Sequence, residues 1–321
     1  MSRKMKGWLA AGVLLVLVGC MVFVGAMAMM DWNFKKLSTE KYETNRYEIT
    51  ESFSSLSIDT KVADVKLLPS EDGSVSVVCY EREKMKHSVE VVDRRLTVSL
   101  VDTRKWYEHV SVGFDTPSVT VFIPSGEYSE LYVKNSTGRV DIPSDFAFGS
   151  IELSLTTGNV SVGASVSGAL RVKTSTGGVS LDGVSAGSIE LSLTTGRASI
   201  EDVSCDGELS VSVTTGRTVL ARVTCGGLTS GGSTGGISLD GVIVEGRMTV
   251  ERSTGSVKLE RCDAAEIFIE TDTGDVRGSL LTGKQFVVET DTGDLSYPRE
   301  STGGRCEITT DTGDVVITVV K

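Results

Sequence analysis

The sequence predicts an all-β fold, a parallel β-solenoid of about ten coils of 19–20 residues, and three features carry that expectation. Ten glycines, Gly138, Gly158, Gly177, Gly196, Gly216, Gly235, Gly255, Gly274, Gly293 and Gly313, recur every 19 or 20 residues. A fixed period of this size marks a stacked repeat architecture. Around each glycine, apolar and polar residues alternate, which is the pattern of strands with one face turned inward. Each glycine closes a Ser/Thr-Thr-Gly or Asp-Thr-Gly turn, where glycine supplies positive φ and the short polar side chains bond local backbone.

The inward rows can be read by counting from each turn. Seven residues before the glycines stand Leu131, Ile151, Leu170, Ile189, Leu209, Leu228, Met248, Ile267, Phe286 and Cys306. Five before stand Val133, Leu153, Val172, Leu191, Val211, Ser230, Val250, Ile269, Val288 and Ile308. A leucine-rich repeat has a similar period, but its Leu/Asn framework and helical segment are missing. One coil alone buries too little to offset the entropy of ordering it. Stacking pairs each strand with its copy one coil away and builds a continuous core. Ten coils at about 4.8 Å make a rod on the order of 45 Å long, and the crossover rule for parallel strands favours right-handed winding.

The chain divides as follows. Residues 1–7 are a basic flank with Arg3, Lys4 and Lys6, and residues 8–30 form an uncharged apolar run long enough to cross a bilayer. That order places the N-terminus in the cytoplasm and the rest outside, as a single-pass cell-membrane protein. A rival reading takes Leu17-Val18-Gly19-Cys20 as a lipobox with Cys20 lipidated. Residues 31–47 are polar and read as a stalk, with Trp32 and Phe34 at the headgroup level. Residues 48–130 are β-rich but off the period, an irregular β cap and enlarged first coil that covers one end of the stack. His87, Trp106, Tyr107 and His109 lie in this region and are expected to pack over a core edge. Residues 131–321 are the solenoid repeats.

The N-terminal anchor, the Thr-Arg-Lys-Trp-Tyr segment at 103–107, the repeated Ser-Thr-Gly turns and the Thr-Asp-Thr-Gly-Asp-Val copies resemble the bacterial DUF4097 family. The resemblance covers essentially the whole chain. It implies an extracytoplasmic β-solenoid of the kind found in many Gram-positive bacteria, some in envelope-stress operons, often labelled adhesins. It implies no catalytic residues.

Net charge is −11 with 43 acidic and 32 basic residues, which argues against nucleic acid as a partner. The six cysteines form no CxxC or Cys/His cluster at metal spacing. Cys262 and Cys306 fall on inward rows. Cys205 and Cys225 each lie nine residues past a turn glycine, so they stack on adjacent coils within disulfide range. Asp272/Asp275, Asp291/Asp294 and Asp311/Asp314 flank the last three turns as carboxylate ladders. They read as solvated turns, with a calcium ladder as the functional alternative. No Ser-His-Asp set or phosphate-binding loop is present, no His follows His109, and the aromatics after residue 135 scatter over different coils.

The expected function is a non-enzymatic, adhesin-like binding or scaffold module of the cell envelope. It is expected to need no cofactor and to meet an envelope or extracellular ligand that the sequence does not name. The alternative is a carbohydrate-active enzyme on a solenoid. The last strand, Val315–Val320, is uncharged and β-branched, so self-association through it as a C-terminal edge strand is also expected.

Overall fold

Period-two patterning over most of the chain leaves few ways to bury an apolar face. The computed structural model, which describes residues 3–29, 31–33, 40–106, 113, 115–299 and 302–320, shows the stacked solution. Helix α1 (Arg3–Met29) comes first; its Gly7–Met29 stretch is long and apolar enough to cross a membrane. Then come β1 (Tyr42–Ile49), β2 (Ser55–Val62), β3 (Asp64–Pro69), β4 (Val75–Arg82), β5 (Met85–Val92), β6 (Arg95–Asp102) and β7 (Ser118–Ile123). The repeats supply β8 (Gly126–Thr137), β9 (Val140–Ile142), β10 (Phe146–Thr157), β11 (Val160–Val162), β12 (Ser165–Asp182), β13 (Ser185–Thr234), β14 (Ile237–Thr254) and β15 (Val257–Thr273). They end with β16 (Val276–Leu280), β17 (Gln285–Thr292), β18 (Leu295–Ser296), β19 (Arg305–Thr312) and β20 (Val315–Val319).

The repeat pairs in parallel with the register read from the sequence. Ile151 lies against Leu131 and Leu170, and Leu191 against Val172. The two inward rows are buried along the rod, apart from its last coil. Each coil has three corners. One is the Thr-Gly turn, where a Cβ on Gly196 would overlap the carbonyl oxygen of Gly177 one coil down. A second lies six residues on, at Gly183, Asp202, Arg222, Gly241 and Arg261, all in the left-handed region with φ between 51° and 66°. Arg222 clasps Asp202 there through two hydrogen bonds of 2.6 and 2.7 Å. The third corner carries a second glycine ladder, described below.

The coils do not stack in chain order at either end. The β2–β3 coil pairs with β8–β9 on one side and with β6 and β7 on the other. The second coil in sequence is therefore the outer one. At the far end, β15 and β16 pair with β19 and β20, which in turn pair with β17 and β18. This corrects the expectation that Val315–Val320 is the edge strand: β20 is flanked by β16 and, at Val315 and Val316, by β18, and the outermost coil is β17–β18. A steric reason is visible at the third corner. A Cβ on Gly304 would overlap the Ala265 carbonyl, so the coil that stacks there needs glycine. The β19–β20 coil offers Gly304, whereas the β17–β18 coil has Lys284 at that place. Lys284 instead bonds the Ala264 carbonyl and pairs with Asp263 at 2.7 Å.

The β4, β5 and β1 strands run antiparallel and close the N-terminal end: β4 on β7, β1 on β4 and β5 on β6. The stretch expected as a stalk is therefore shorter, because Tyr42–Tyr47 already belongs to β1. Its ring at Tyr42 stacks on Tyr80 at 5.3 Å, and Asn45 reaches Glu81 at 2.7 Å.

Candidate ligand-binding groove

The third corner of each coil carries Gly149, Gly168, Gly187, Gly207, Gly226 and Gly246, each nine residues before a turn glycine. Carbonyl oxygens of the preceding coil lie 2.7–2.9 Å from where Cβ atoms of Gly168, Gly187, Gly207, Gly226 and Gly246 would sit, so a side chain there would push the coils apart. Around Gly168 and Gly187 the flanking residues are small, and the corner sinks into a groove of about 690 Å³ that crosses five coils. Its floor is apolar and tapers through Phe148, Val166 and Ala186 to the buried Cys205 of the next coil. Ser129, Ser165, Ser167, Ser185 and Ser204 add hydroxyls along its length.

Aromatics gather at one end. The Tyr128 ring stacks on Phe53 at 6.0 Å and meets Phe148 at 5.8 Å and Phe146 at 6.4 Å. Its hydroxyl donates to the Pro124 carbonyl at 2.8 Å, and burial pushes the phenol above its usual range. Phe268, Phe286 and Tyr297 lie on other coils; the cluster forms because two aromatics before residue 135, Tyr128 and Phe53, meet Phe146 and Phe148. Phe146 and Phe148 are separated by one residue on the irregular start of β10, and stacking brings them to Tyr128 and Phe53. The period-19 glycine ladder was the signal in the sequence that could have located the groove.

Glu127 and Asp206 are the charged residues lining the groove. They lie four coils apart, about 19 Å at 4.8 Å per coil. Paired carboxylates that hydrolyse glycosides stand within roughly 5–9.5 Å, so these two cannot act on one bond. The groove has hydroxyls, a half-buried tyrosine ring at one end and two well-separated carboxylates, a surface for an extended neutral or cationic chain and a poor one for an anion.

The other sequence candidates fall elsewhere. Cys205 and Cys225 are neighbours but carry free thiols. Stacked side chains point the same way, and the Cys205 thiol turns to the Glu208 carbonyl at 3.5 Å. Burial pushes the Cys225 thiol up to about 12, with Cys205 adding to the effect. The aspartate ladder follows the coil order rather than the chain order. Asp275 accepts the Asp314 amide at 3.0 Å, and Asp314 accepts the Asp294 amide at 3.1 Å. Arg277 bridges Asp275 and Asp314 at 3.2 and 2.8 Å. Asp272, Asp311 and Asp291 are exposed on the opposite side of the turns.

Among the described residues, the group with metal-ligating donors in reach of one another is Cys79, Glu81 and His87, within 4.8 Å. Spacing in the sequence gives no hint of it, because the β4–β5 hairpin brings His87 back. The carboxylate accepts Nδ1 and the backbone amide of His87, at 2.7 and 2.6 Å, and Asn45. His87 Nε2 meets Thr60 at 3.0 Å. The donor set suits a soft divalent ion, yet carboxylate and imidazole are already engaged. The arrangement bolts the cap to the first coil. Trp106 is 84% exposed rather than packed, and Tyr107 and His109 lie outside the described residues.

A different polar residue sits inside the rod. Arg252, 5% exposed, occupies the row held elsewhere by Leu155, Leu193 and Val213, beneath Gly232. Its guanidinium donates to Ser230 Oγ at 2.9 Å, to the Ser230 and Glu251 carbonyls at 3.3 and 2.8 Å, and to Thr218 Oγ1 at 3.3 Å. Among the described residues no carboxylate pairs with it, and burial lowers its pKa.

The chain matches the family described as Toastrack DUF4097 over residues 53–216 and 204–321. Among solved structures, it is similar to a "putative adhesin" from Parabacteroides merdae ATCC 43184, at 16% identity and TM-score 0.38, covering 86% of this chain and 97% of that one. A "putative lipid binding protein" from Parabacteroides distasonis ATCC 8503 is similar at 13% identity and TM-score 0.41, covering 88% and 98%. A "putative cell adhesion protein" from Clostridium sporogenes ATCC 15579 has 9% identity and TM-score 0.23, covering 88% and 100%. No curated protein matches the chain.

Proposed function

The chain belongs to the Toastrack DUF4097 family, and from that premise we propose a non-enzymatic, adhesin-like binding module held at the outer face of the cell membrane by α1. The corner groove takes an extended, hydroxyl-rich neutral chain, such as a glycan segment. The observation that carries this reading is the groove itself: the half-buried Tyr128 ring, a row of serines, and two carboxylates too far apart for paired-carboxylate hydrolysis. Arg3, Lys4 and Lys6, in the first turns of α1 ahead of its apolar stretch, support the outward orientation of the rod.

Two experiments test the proposal. A neutral-oligosaccharide array is probed with the full chain in nonionic detergent, beside Tyr128→Ala and Ser185→Arg. Ser185 is exposed, so the arginine fills the groove without entering the core. At least a tenfold loss of affinity in both variants is expected. No binding by the parent, or binding untouched by both changes, rejects the groove. Separately, protease added to wall-stripped cells removes the region after α1 if the rod faces outward. Its protection rejects the topology.

A further inference from the structure

The two ends of the rod are finished differently. The N-terminal end carries antiparallel strands and the Glu81–His87 bolt. The other end stops at the β17–β18 coil, where β17 pairs with β19 on one side and shows its other edge to solvent. Its inward residues are left half covered. Leu295 is 44% exposed, whereas Val140, Val257 and Val315 at the same place in other coils are buried. Phe286 and Tyr297, with rings 6.0 Å apart, are partly buried where other coils are fully so. Val287 on the edge is 41% exposed. Natural sheets blunt such edges with charge, proline or a covering element; the far end carries Glu289 and Asp291 on its edge strand but, among the described residues, no antiparallel strands like those of the N-terminal end.

We infer that a second copy of this chain covers this end, through a two-fold antiparallel pairing of β17 with β17 of its mate. A second copy presents a coil of the same outline with the same half-covered inner row, and charge placement allows this pairing while narrowing its register. With Val288 on the two-fold axis, opposite residues share a face. Val288 then meets Val288 and Phe286 meets Thr290 on the inner face. On the outer face Val287 meets Glu289 and Gln285 meets Asp291. No carboxylate opposes another, and the inner rows of the two rods join into one core. Moving the axis to Glu289 would set Glu289 against Glu289, whereas moving it to Val287 sets Glu289 against Gln285 and Asp291 against Gly283, so charge excludes the first shift and not the second. With Val288 on the axis Glu289 and Asp291 face Val287 and Gln285, so the strand's own carboxylates do not oppose the pairing.

The test is sedimentation of the full chain in nonionic detergent, as parent, Val287→Lys and Leu295→Lys. Both residues are exposed, so unchanged melting temperatures establish that the variants fold. The parent is expected to dimerise and each variant to dissociate at least tenfold more readily. In a Cys20→Ser background, Val288→Cys is expected to form a disulfide-linked dimer under mild oxidation, and Ser212→Cys on the flank is not. A parent that stays monomeric at every concentration overturns the inference. So do dimers that survive both lysine variants, which would belong to α1 or another face, and so does equal crosslinking at both cysteines.

Discussion

Arg252 offers a test of what fills the interior of the rod. Its guanidinium makes four hydrogen bonds to neutral acceptors and pairs with no carboxylate among the described residues. Arg252→Met and Arg252→Ala both remove the charge and the same four bonds. They differ in volume beneath Gly232, where no side chain can compensate. Replacing buried ionic groups with well-packed apolar ones is often neutral or stabilising by about 1–4 kcal/mol, so Arg252→Met is expected within about 1 kcal/mol of the parent or above it. Truncation to Ala leaves a void worth about 2–5 kcal/mol relative to Met. At roughly 2 °C per kcal/mol for a domain of this size, the two variants should differ in Tm by about 4–10 °C. Thermal unfolding followed by circular dichroism reads the difference directly. Melting temperatures within about 1 °C of each other, both well below the parent, would show that the hydrogen bonds rather than the volume matter, and would refute the reasoning.

Three further outcomes follow from packing and titration. Leu191→Asp buries an unpaired charge between Val172 and Val211 and is expected to cost several kcal/mol, whereas Ser192→Asp faces outward and is expected to cost under roughly 0.5 kcal/mol; equal thermal shifts would mean the register is wrong. Gly196→Ala, whose Cβ overlaps a carbonyl of the coil below, should lower Tm more than Gly183→Ala, which has φ +66° but nothing within 4 Å and carries only the left-handed penalty of about 1–2 kcal/mol. Burial pushes the thiols of Cys79, Cys225 and Cys306 up to about 12, so each contributes stability that is fully present below the unfolded thiol range near 8.5. That stability is lost as pH rises toward 12. A Tm that falls between pH 9 and 12, less steeply once Cys225 and Cys306 are alanine, is the expected result, and a profile unchanged by those substitutions contradicts it.

Much of the fold could be read before any coordinates because the repeat writes each inward row ten times over. Leu131, Ile151 and Leu170 are in register whether or not one knows the neighbours. Stacking order is another matter. The last three turns share Asp-Thr-Gly-Asp, their spacing is 19 and 20 residues, and nothing local says that the last two coils exchange places. The deciding contacts are between Gly304 and Ala265, and between Lys284 and Asp263. The groove was half legible: its glycine ladder is periodic, but the meeting of Phe53 with Tyr128 depends on the β2–β3 coil docking beside β8. The Cys79–Glu81–His87 group depends on a hairpin, and the repeat says nothing about hairpins.

The exchanged coils at the far end change how the rod responds to force. In a simple stack, tension on the C-terminus would peel the outermost turn like the last loop of a spring, one ladder at a time. Here the C-terminal strand is tucked beneath the turn that precedes it. To release β20 and β19, tension must break their pairing with β15 and β16 and with β17 and β18 together. The outermost turn then loses its only neighbour, so two turns leave as one unit. A rod pulled by its C-terminus would therefore yield in a larger step and at a higher load than its number of turns suggests.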